Sequence, residues 1–296
     1  MREVIIIGAG PAGLQAALTL GRMHRTALVV DSGEYRNGPV QHMHNVIAND
    51  GTPPAEFRAA ARRQLAAYAT VEFRHGSITR VSPIDGGFEA TFADGTVERS
   101  TRVLLATGMA DDLPPIPGLA ELWGRHAFSC PFCDGHEYAG RRIGVIGGSP
   151  RVEHLVKLLK PIVSDIIVFD DGELADEMRS QLETLGATVH AATVESVADH
   201  DDGVRVTAGG PVDVDGLFVA AGSARQRAPF AEQLGLTMLD SGAIEIDEFG
   251  RTSLPGVSAA GDLAHRAALP GVMAAVMVAA TAGQLAAAGL VQELAG

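Results

Sequence analysis

Runs of apolar residues that end in glycine and lead into a helical pattern occur twice in the chain. The first run covers residues 4–7 and is followed by a glycine-rich turn, a helical stretch and a second apolar run at 27–30. Such continuous runs are typical of strands buried on both faces of a parallel sheet. The same order returns at residues 143–170, and in both copies the final aspartate follows the first turn glycine by 23 positions. The pattern predicts an internal duplication of a mononucleotide-binding architecture.

The remaining pattern predicts the elements around these two copies. An amphipathic helix is predicted at 53–69, a small antiparallel sheet from short alternating runs between 71 and 98, and another buried strand at 103–108. The last helix is predicted to begin near residue 271, where its free N–H groups and dipole would face a ligand.

A length of 296 residues favours two domains. A proline-rich stretch at 114–118 is one expected linker, and a second lies near 242–246. We expect an α/β fold with two Rossmann-like, three-layer domains, the second inserted in the first. The first domain is predicted to comprise residues 1–117 and 245–296, and the second residues 118–244.

The turn of the first copy, Gly8-Ala9-Gly10-Pro11-Ala12-Gly13, has the spacing of a dinucleotide-binding loop. Gly8 permits a tight turn, Gly10 lets backbone N–H groups approach a pyrophosphate, and Gly13 allows the helix to pack closely on the strand. The helix N-terminus supplies partial positive charge, and Asp31 can bind ribose hydroxyls. Because strand, turn, helix, second strand and acid all occur in order, we interpret this copy as a dinucleotide site rather than an unrelated glycine-rich turn.

A polar segment after Asp31 is poor material for a helix or strand and is rich in hydrogen-bond donors. It contains Ser32-Gly33-Glu34-Tyr35-Arg36-Asn37 and, further on, Gln41-His42-Met43-His44-Asn45. Such a segment suits a loop that wraps the phosphates and ring of a ligand. The alternative for His42 and His44 is a solvated loop in which both imidazoles have satisfied hydrogen bonds.

The turn of the second copy departs from the motif where a phosphate would bind. Ser149 and Val152 replace its second and third glycines. A Cβ at the first of these positions obstructs backbone approach to a pyrophosphate, and a β-branched side chain at the next separates helix from strand. Asp170 and Asp171 follow the second strand, where a site selective for a 2′-phosphate would have arginines. NADPH is therefore disfavoured, whereas NADH would suit Asp170 but not the loop.

The two cysteines of the sequence, Cys130 and Cys133, lie three positions apart, and Asp134 follows directly. Cysteines at that spacing on a turn can close a disulfide across about 5.5 Å between Cα atoms. With no other cysteine in the sequence, the pair is interpreted as a redox-active dithiol/disulfide couple. Asp134 is a candidate general acid/base, because a carboxyl near thiols and an apolar surface can have a raised pKa. The alternative is an acid that caps the turn.

His126 and His136 flank the cysteine turn, so a zinc site with Cys130 and Cys133 is an alternative interpretation. It is disfavoured because the dinucleotide framework already accounts for the cysteine pair. No metal is expected.

Composition and charge narrow the class of partner. Lys and Arg number 23 against 36 Asp and Glu, a net charge of −13, which argues against nucleic acid and anionic membrane surfaces. The uncharged stretch 267–291 has few large apolar residues, so it is interpreted as a buried helix rather than a bilayer span. Residues 4–7 run directly into glycines without a signal-peptide pattern, and a cytoplasmic, reducing location is expected.

Four motifs, in order along nearly the whole chain, resemble the low-molecular-weight thioredoxin reductases of the pyridine-nucleotide-disulfide oxidoreductase family. They are the GxGxxG at 8–13, Ala106-Thr107-Gly108, Cys130-Pro131-Phe132-Cys133-Asp134-Gly135, and Thr252 followed by Ala260-Gly261-Asp262. The resemblance implies that the first domain binds FAD and that Asp262 contacts its ribityl chain. It also implies that the cysteines face the flavin, that Asp134 donates and accepts the proton, and that the protein is a homodimer.

The same resemblance implies a set of FAD-binding residues. They are Gly8, Gly10, Pro11, Ala12, Gly13, Asp31, Ser32, Arg36, Asn37, His44, Asn45, Ile78, Ala106, Thr107, Gly108, Gly261, Asp262, Gly271 and Val272. By analogy with the family, Cys133 is nearer the flavin and Cys130 exchanges with substrate. Spacing alone assigns neither role.

The chain departs from those reductases at the determinants of NADPH binding. The family has GxGxxA and a His-Arg-Arg segment in the second domain, where this chain has Gly147-Gly148-Ser149-Pro150-Arg151-Val152 and Phe169-Asp170-Asp171-Gly172. Leu269-Pro270-Gly271 also stands where the family has Arg-Gln-Ala near the flavin. Loss of these determinants, with Pro131 and Phe132 between retained cysteines, resembles the dithiol oxidases of natural-product pathways, the gliotoxin and holomycin type. This resemblance implies a small-molecule dithiol as substrate, O₂ as acceptor and H₂O₂ as product.

Two other functions remain open from the sequence. A reductase of the same fold, driven by NADH or ferredoxin and acting on thioredoxin or another disulfide, would keep the cysteines and reverse the electron flow. A non-enzymatic FAD-binding redox sensor would keep the cofactor without turnover. Steady turnover of small dithiols with O₂ separates the oxidase from both.

Overall fold

The protein is described by a computed structural model that covers residues 1–170 and 172–296. The predicted role of Asp171 lies outside the described residues. The strands are β1 (Arg2–Ile7), β2 (Ala27–Asp31), β3 (Val71–His75), β4 (Ile78–Ile84), β5 (Gly87–Phe92), β6 (Val97–Leu105), β7 (Met109–Asp112), β8 (Ala127–Phe128), β9 (Arg142–Ile146), β10 (Asp165–Phe169), β11 (Thr188–His190), β12 (Ser196–His200), β13 (Gly203–Thr207), β14 (Pro211–Val214), β15 (Gly216–Val219), β16 (Ser223–Gln226), β17 (Ile244–Glu245), β18 (Val257–Ala259) and β19 (Ala264–His265). The α-helices are α1 (Pro11–Arg22), α2 (Pro54–Leu65), α3 (Leu119–Leu122), α4 (Pro131–Asp134), α5 (Arg151–Leu159), α6 (Asp176–Thr184), α7 (Phe230–Gln233) and α8 (Val276–Ala295), and a 3₁₀ turn covers His136–Tyr138.

Two compact units make up the described chain. The first comprises residues 1–38, 55–110 and 224–296, and the second comprises 39–54 and 111–223. These bounds differ from the expected domain limits, which placed 39–54, 111–117 and 224–244 in the opposite domains. Residues 224–244 belong to the first unit because Phe230, Leu236 and Ile244 join its hydrophobic core. Residues 39–54 belong to the second because Pro39 lies against Gly124, where a Cβ would come within 2.8 Å of it.

The first unit is built on a mixed sheet with strand order β3-β2-β1-β6-β5-β4 and with β18 beside β6. β1 lies between β2 and β6, parallel to both, and residues 4–7 are buried because Ile5 and Ile7 enter one hydrophobic cluster while Val4 and Ile6 enter another. The predicted antiparallel pairing is confirmed for β4–β6, but β3 pairs in parallel with β2, and all of these strands belong to the same sheet. β6 joins both parts, since its Ser100 is paired with Phe88 of β5 and with Arg2 of β1.

The second unit repeats this plan around a parallel sheet with strand order β11-β10-β9-β15-β8. Within the described residues it also contains the antiparallel sheet β12-β13-β14. Two further pairs of strands are β7 with β16 and β17 with β19. The parallel sheets with their helices confirm the predicted α/β fold, with one Rossmann-like unit inserted in the other.

The C-terminal helix α8 begins at Val276, so the prediction of a start near residue 271 is wrong. Pro270 and Gly271 favour a turn, and Ala275 is extended with φ −152° and ψ 147° immediately before the helix. α8 packs on α1 at Gly283, where a Cβ would come 2.0 Å from the Ala12 carbonyl oxygen. Among the described residues, no helix is both long and apolar enough to span a membrane.

Candidate active site

The glycines of the first copy hold strand and helix in close contact. Gly8 has φ +113°, and a Cβ there would come 2.2 Å from the Ala106 carbonyl oxygen at the end of β6. A Cβ on Gly13 would come 1.9 Å from the carbonyl oxygen of Gly8 itself. Any side chain at either position would force the backbones apart, which is the physical reason for glycine at both.

Gly10 is different, because a Cβ there would meet no described heavy atom within 4 Å. It precedes α1, whose first N–H groups receive no side-chain cap. Gly108, after β6, has equally open surroundings. Open space, uncapped N–H donors and a helix N-terminus at the carboxyl ends of adjacent parallel strands fit the pyrophosphate of a dinucleotide such as FAD.

Asp31 at the end of β2 is buried and already has protein partners. One carboxylate oxygen accepts the Gly33 N–H at 3.0 Å, and the other is paired with Arg62 and accepts the Tyr35 hydroxyl. No sequence motif predicted this contact of Arg62, which lies on α2. For the predicted contact with a ribose, Asp31 would therefore have to use lone pairs of its carboxylate oxygens that these hydrogen bonds do not occupy.

Arg36 and Asp262 are brought together although they lie far apart in the sequence. Arg36 Nη1 donates to Asp262 Oδ2 at 2.9 Å. Gly261 before it has φ +93°, and a Cβ there would come 3.1 Å from the Ala12 Cβ. The residues of two predicted FAD motifs thus meet beside the first turn of α1.

His44 and Asn45 lie in the second unit, unlike most of the predicted FAD set. Asn45 has φ +58°, and its N–H donates to Asp50 Oδ1 at 2.7 Å. The His44 Nδ1 atom lies 3.6 Å from Glu137 Oε1 and 3.8 Å from Asp50 Oδ1.

The remaining residues of the predicted set lie in the first unit. Ile78 is buried in β4, and Asn37 accepts a 3.1 Å hydrogen bond from Arg58. Ser32 is exposed, whereas Thr107, Gly271 and Val272 are partly buried. Because α8 begins after Gly271, this glycine does not contribute the helix N-terminus that was predicted for it.

Cys130 and Cys133 form a disulfide with 5.3 Å between their Cα atoms. α4 begins at Pro131, and the N–H groups of Cys133 and Asp134 donate to the Cys130 carbonyl oxygen, each at 3.2 Å. Phe132 lies between the two cysteines and is 66% exposed. In the part of the chain that the structure describes, no three His, Cys, Asp or Glu side chains are arranged to hold a metal ion.

Asp134 has the electrostatics of an acid/base near neutrality. Burial and, as the smaller cause, the negative charge of Glu137 together raise its pKa to about 7. Tyr138 is affected similarly, since burial and then the Asp134 charge raise its pKa to about 12. A carboxyl that titrates near pH 7 next to a disulfide can accept and return the proton of a thiol.

The turn of the second copy is shaped differently from that of the first. Ser149 has a buried Oγ with no hydrogen-bond partner among the described residues. Val152 is fully buried in the core of this unit, at the position where the first copy has Gly13 against the Gly8 carbonyl oxygen. Asp170 is fully buried, and its Oδ2 lies 2.8 Å from Arg179 Nη2, without the geometry of a hydrogen bond.

Glu173 covers the same turn. A Cβ on Gly148 would come 2.4 Å from the Glu173 Cβ and 2.5 Å from its Oε2. The Glu173 N–H donates to the Asp170 carbonyl oxygen at 2.9 Å, which holds the residue close to the turn. The sequence motif did not point to Glu173, and its one signal was an additional acid two residues after the acidic pair.

Comparison with known proteins agrees with this arrangement of two nucleotide-type units and a disulfide. The sequence model of the pyridine nucleotide-disulphide oxidoreductase family matches residues 2–284. The chain belongs to this family. The predicted family membership is confirmed, and as a pyridine nucleotide-disulphide oxidoreductase the chain is a flavin-dependent oxidoreductase of the thioredoxin reductase-like type.

Individual members of the family are similar over nearly the whole chain. Thioredoxin reductase aclD from Aspergillus oryzae is 33% identical, over 99% of this chain and 96% of its own. The crystal structure of the putative thioredoxin reductase TrxB from Bacillus anthracis is 29% identical with a TM-score of 0.92, over 100% of this chain and 99% of that one. The crystal structure of HlmI is 32% identical with a TM-score of 0.88, over 99% and 92%.

Proposed function

We propose that the protein is an FAD-dependent dithiol oxidase. It converts a small-molecule dithiol to its disulfide and passes two electrons and two protons to O₂, which becomes H₂O₂. The observation that carries the proposal is the position of Glu173. Its carboxylate covers Gly148 in the turn where NADPH would have to bind, while the redox disulfide of the same unit is retained.

The second copy disfavours NADPH for three additive reasons. The Glu173 carboxylate repels a pyrophosphate, and Ser149 adds a Cβ where the backbone should approach it. Asp170 places a carboxylate where a 2′-phosphate would need a cation, and its ion pair neutralises Arg179. Each hydrogen bond to a charged group contributes about 1.5–3 kcal/mol. Since about 1.4 kcal/mol is tenfold in affinity, the thousandfold loss that takes a micromolar site to millimolar requires two to three such losses.

FAD is proposed to bind the first unit. The open surroundings of Gly10, the uncapped start of α1 and the Arg36–Asp262 pair fit a pyrophosphate and a polyol chain. When bound, FAD supplies the two-electron carrier between the Cys130/Cys133 dithiol and O₂. The chain's own residues bind and orient it and exchange the thiol proton.

The exchange itself is assigned to Cys130, Cys133 and Asp134. A substrate thiolate attacks one sulfur of the disulfide, the S–S bond breaks, and one cysteine leaves as a thiolate. The second substrate thiol then attacks the mixed disulfide, which releases the product and the second cysteine. Asp134 takes up a proton from the incoming thiol and returns it to a departing thiolate, a role that suits a pKa of about 7.

A neutral, ring-bearing or otherwise apolar dithiol is the proposed class of substrate. Phe132 is exposed within the disulfide loop and offers an aromatic face beside both sulfurs. Asp134 and Glu137 lie on the same turn and disfavour an anionic substrate. The protein is proposed to act as a homodimer, since α8 exposes Met277, Val278 and Leu285 on a helix without charged residues before Glu293.

A second candidate is a disulfide reductase fed by NADH or ferredoxin. Two similar proteins favour it, since aclD is described as a thioredoxin reductase and TrxB as a putative one. In that case the same disulfide would pass electrons outwards to thioredoxin or another disulfide.

An anaerobic titration of the yellow protein separates the two candidates. A small dithiol such as dithiothreitol should bleach the flavin, NADPH and NADH at millimolar concentration should leave it oxidised for minutes, and air should restore the colour with release of H₂O₂. Cys130→Ser and Cys133→Ser are the controls, and each should keep the flavin and lose the response to dithiol. Rapid bleaching by micromolar NADPH, or by reduced ferredoxin without any dithiol turnover in air, would overturn the oxidase proposal.

A further inference from the structure

Glu137 lies between the disulfide turn and His44 within the second unit. It follows Asp134 by three residues, and Gly135 between them has φ −68° and ψ −33°, so the chain continues in a right-handed helical turn. Residues three apart on such a turn are neighbours on one face. On its other side, Glu137 Oε1 lies 3.6 Å from the Nδ1 atom of His44.

The other charged groups of this cluster act around the same pair. Asp50 Oδ1 also lies 3.8 Å from His44 Nδ1, so the imidazole is shared by two carboxylates. Tyr138 follows Glu137 and is influenced by Arg141 and Asp215 as well as by Asp134. From α5, which packs on α4, the side chain that meets the turn at Gly135 is the uncharged Leu159.

We propose that Glu137 is a positioning residue that, with His44 as its counter-ion, sets how readily Asp134 exchanges a proton during thiol–disulfide exchange. The inference rests on the proposed exchange at Cys130–Cys133. Glu137 keeps the proton on Asp134, and a protonated His44 offsets the charge of Glu137.

The two partners therefore act on Asp134 in opposite directions. Loss of the Glu137 charge lowers the pKa of Asp134, since a nearby negative charge disfavours ionisation. Loss of His44 leaves the charge of Glu137 without compensation and raises the same pKa. An i,i+3 pair of like charges predicts that the pH dependence is displaced by roughly 0.15–0.4 pH unit.

The test is the pH dependence of the dithiol half-reaction in the flavin-loaded protein. Dithiothreitol is added without oxygen from pH 5.5 to 9, and the reaction is followed by flavin absorbance and, in quenched samples, by alkylation of released thiols. Each variant is divided by wild type, so the ionisation of dithiothreitol cancels. Glu137→Gln should react about 1.4- to 2.5-fold faster than wild type below pH 6.5 and at the same rate above pH 8, because its pH dependence is displaced to lower pH.

Four variants make the result specific. Glu137→Asp keeps the charge and should follow wild type, and Glu121→Gln, the same charge change at an exposed position of α3, should do so as well. His44→Gln should be slower than wild type below pH 6.5, and the double variant with Glu137→Gln should match Glu137→Gln alone. Flavin content is measured for each His44 variant, because the family resemblance gives that residue a cofactor role.

Two failures can be told apart. Wild-type protein that dithiothreitol does not reduce at any pH overturns the proposed function, and the inference with it. The inference alone is overturned if wild-type protein is reduced but the reduction rate of Glu137→Gln has the same pH dependence as wild type. A pH dependence displaced to higher pH in Glu137→Gln overturns it as well. An effect of His44→Gln that persists in the Glu137→Gln background also overturns it.

Discussion

Gly283 in α8 lies on the main chain of Ala12 in α1, and a Cβ at position 283 would come 2.0 Å from the Ala12 carbonyl oxygen. The last helix of the chain therefore holds the first turn of α1, which follows the proposed pyrophosphate loop. Gly283→Ala should push the two helices apart and lower the free energy of unfolding by about 1–3 kcal/mol. Urea unfolding measures this change in free energy.

Gly289→Ala is the matched control, because the nearest atom to a Cβ at position 289 is 3.0 Å away, and its free energy of unfolding should fall by less. Equal decreases in the two variants would contradict the close contact between Gly283 and Ala12.

Gly10→Val should release FAD and leave the fold intact. Gly10 has φ −75°, which any residue adopts, and its Cβ direction is open, so the side chain costs little without the cofactor. It would occupy the place of the pyrophosphate and weaken flavin binding about tenfold or more for each lost charged hydrogen bond. Flavin absorbance per chain and circular dichroism test the two parts of this expectation. A yellow variant with full flavin content would place the pyrophosphate elsewhere.

Glu173→Ala combined with Ser149→Gly should recover measurable binding of NADPH. The change removes the carboxylate over Gly148 and the extra Cβ, and we expect at least a tenfold lower Kd than in wild type. Binding can be followed by quenching of NADPH fluorescence. Glu177→Ala, an equal charge change at an exposed position of α6, is the control, and its affinity for NADPH should equal that of wild type. No gain in the double variant would mean that Val152 and Asp170 are sufficient to exclude the nucleotide.

Asp134→Asn should stabilise the protein at pH 8 and not at pH 4. The folded-state pKa of Asp134 is raised to about 7 from an ordinary value of 3.8, so between these values the native state holds a proton that the unfolded state has lost. Stability from this group is therefore present at low pH and falls as pH rises to about 7. After allowance for partial exposure, the free energy of unfolding of the variant at pH 8 should exceed that of wild type by roughly 1–2 kcal/mol. Thermal melts at the two pH values measure it, and an equal gain at both would contradict the cause.

Phe132→Ser should raise the KM for a ring-bearing dithiol several-fold and leave the KM for dithiothreitol unchanged. Only the former can use the exposed aromatic face beside the disulfide, a contact of about 0.5–1.5 kcal/mol. Phe132→Tyr keeps the ring and is the control. A parallel change for both substrates would assign Phe132 to the shape of the loop instead.

The backbone requirements of the first copy could be predicted because each is encoded by one residue type. Gly8 and Gly13 lie where a Cβ would strike a carbonyl oxygen, and glycine is the residue that avoids this. The disulfide could be predicted for a similar reason, since spacing on a turn brings Cys130 and Cys133 within bonding reach. Local geometry was sufficient in both cases.

The partners of the charged groups could not be predicted in this way. Arg62 reaches Asp31 from another helix, and His44 reaches Glu137 across many residues of sequence. Such pairs depend on where elements pack, which no local pattern contains. The start of α8 was missed for a different reason, because the uncharged stretch continues through Pro270 and Gly271 while the backbone becomes helical only at Val276.

The pairing of β18 with β6 sets an order of assembly during synthesis. Val257 is paired with Val103, and α8, which packs on α1, comes later still along the chain. The second unit ends at residue 223, so all of its segments leave the ribosome before β18 and α8 of the first unit. Domains usually fold in the order in which they emerge. Here the inserted unit is complete first, and the unit that contains β1 and α1 waits for β18 and α8.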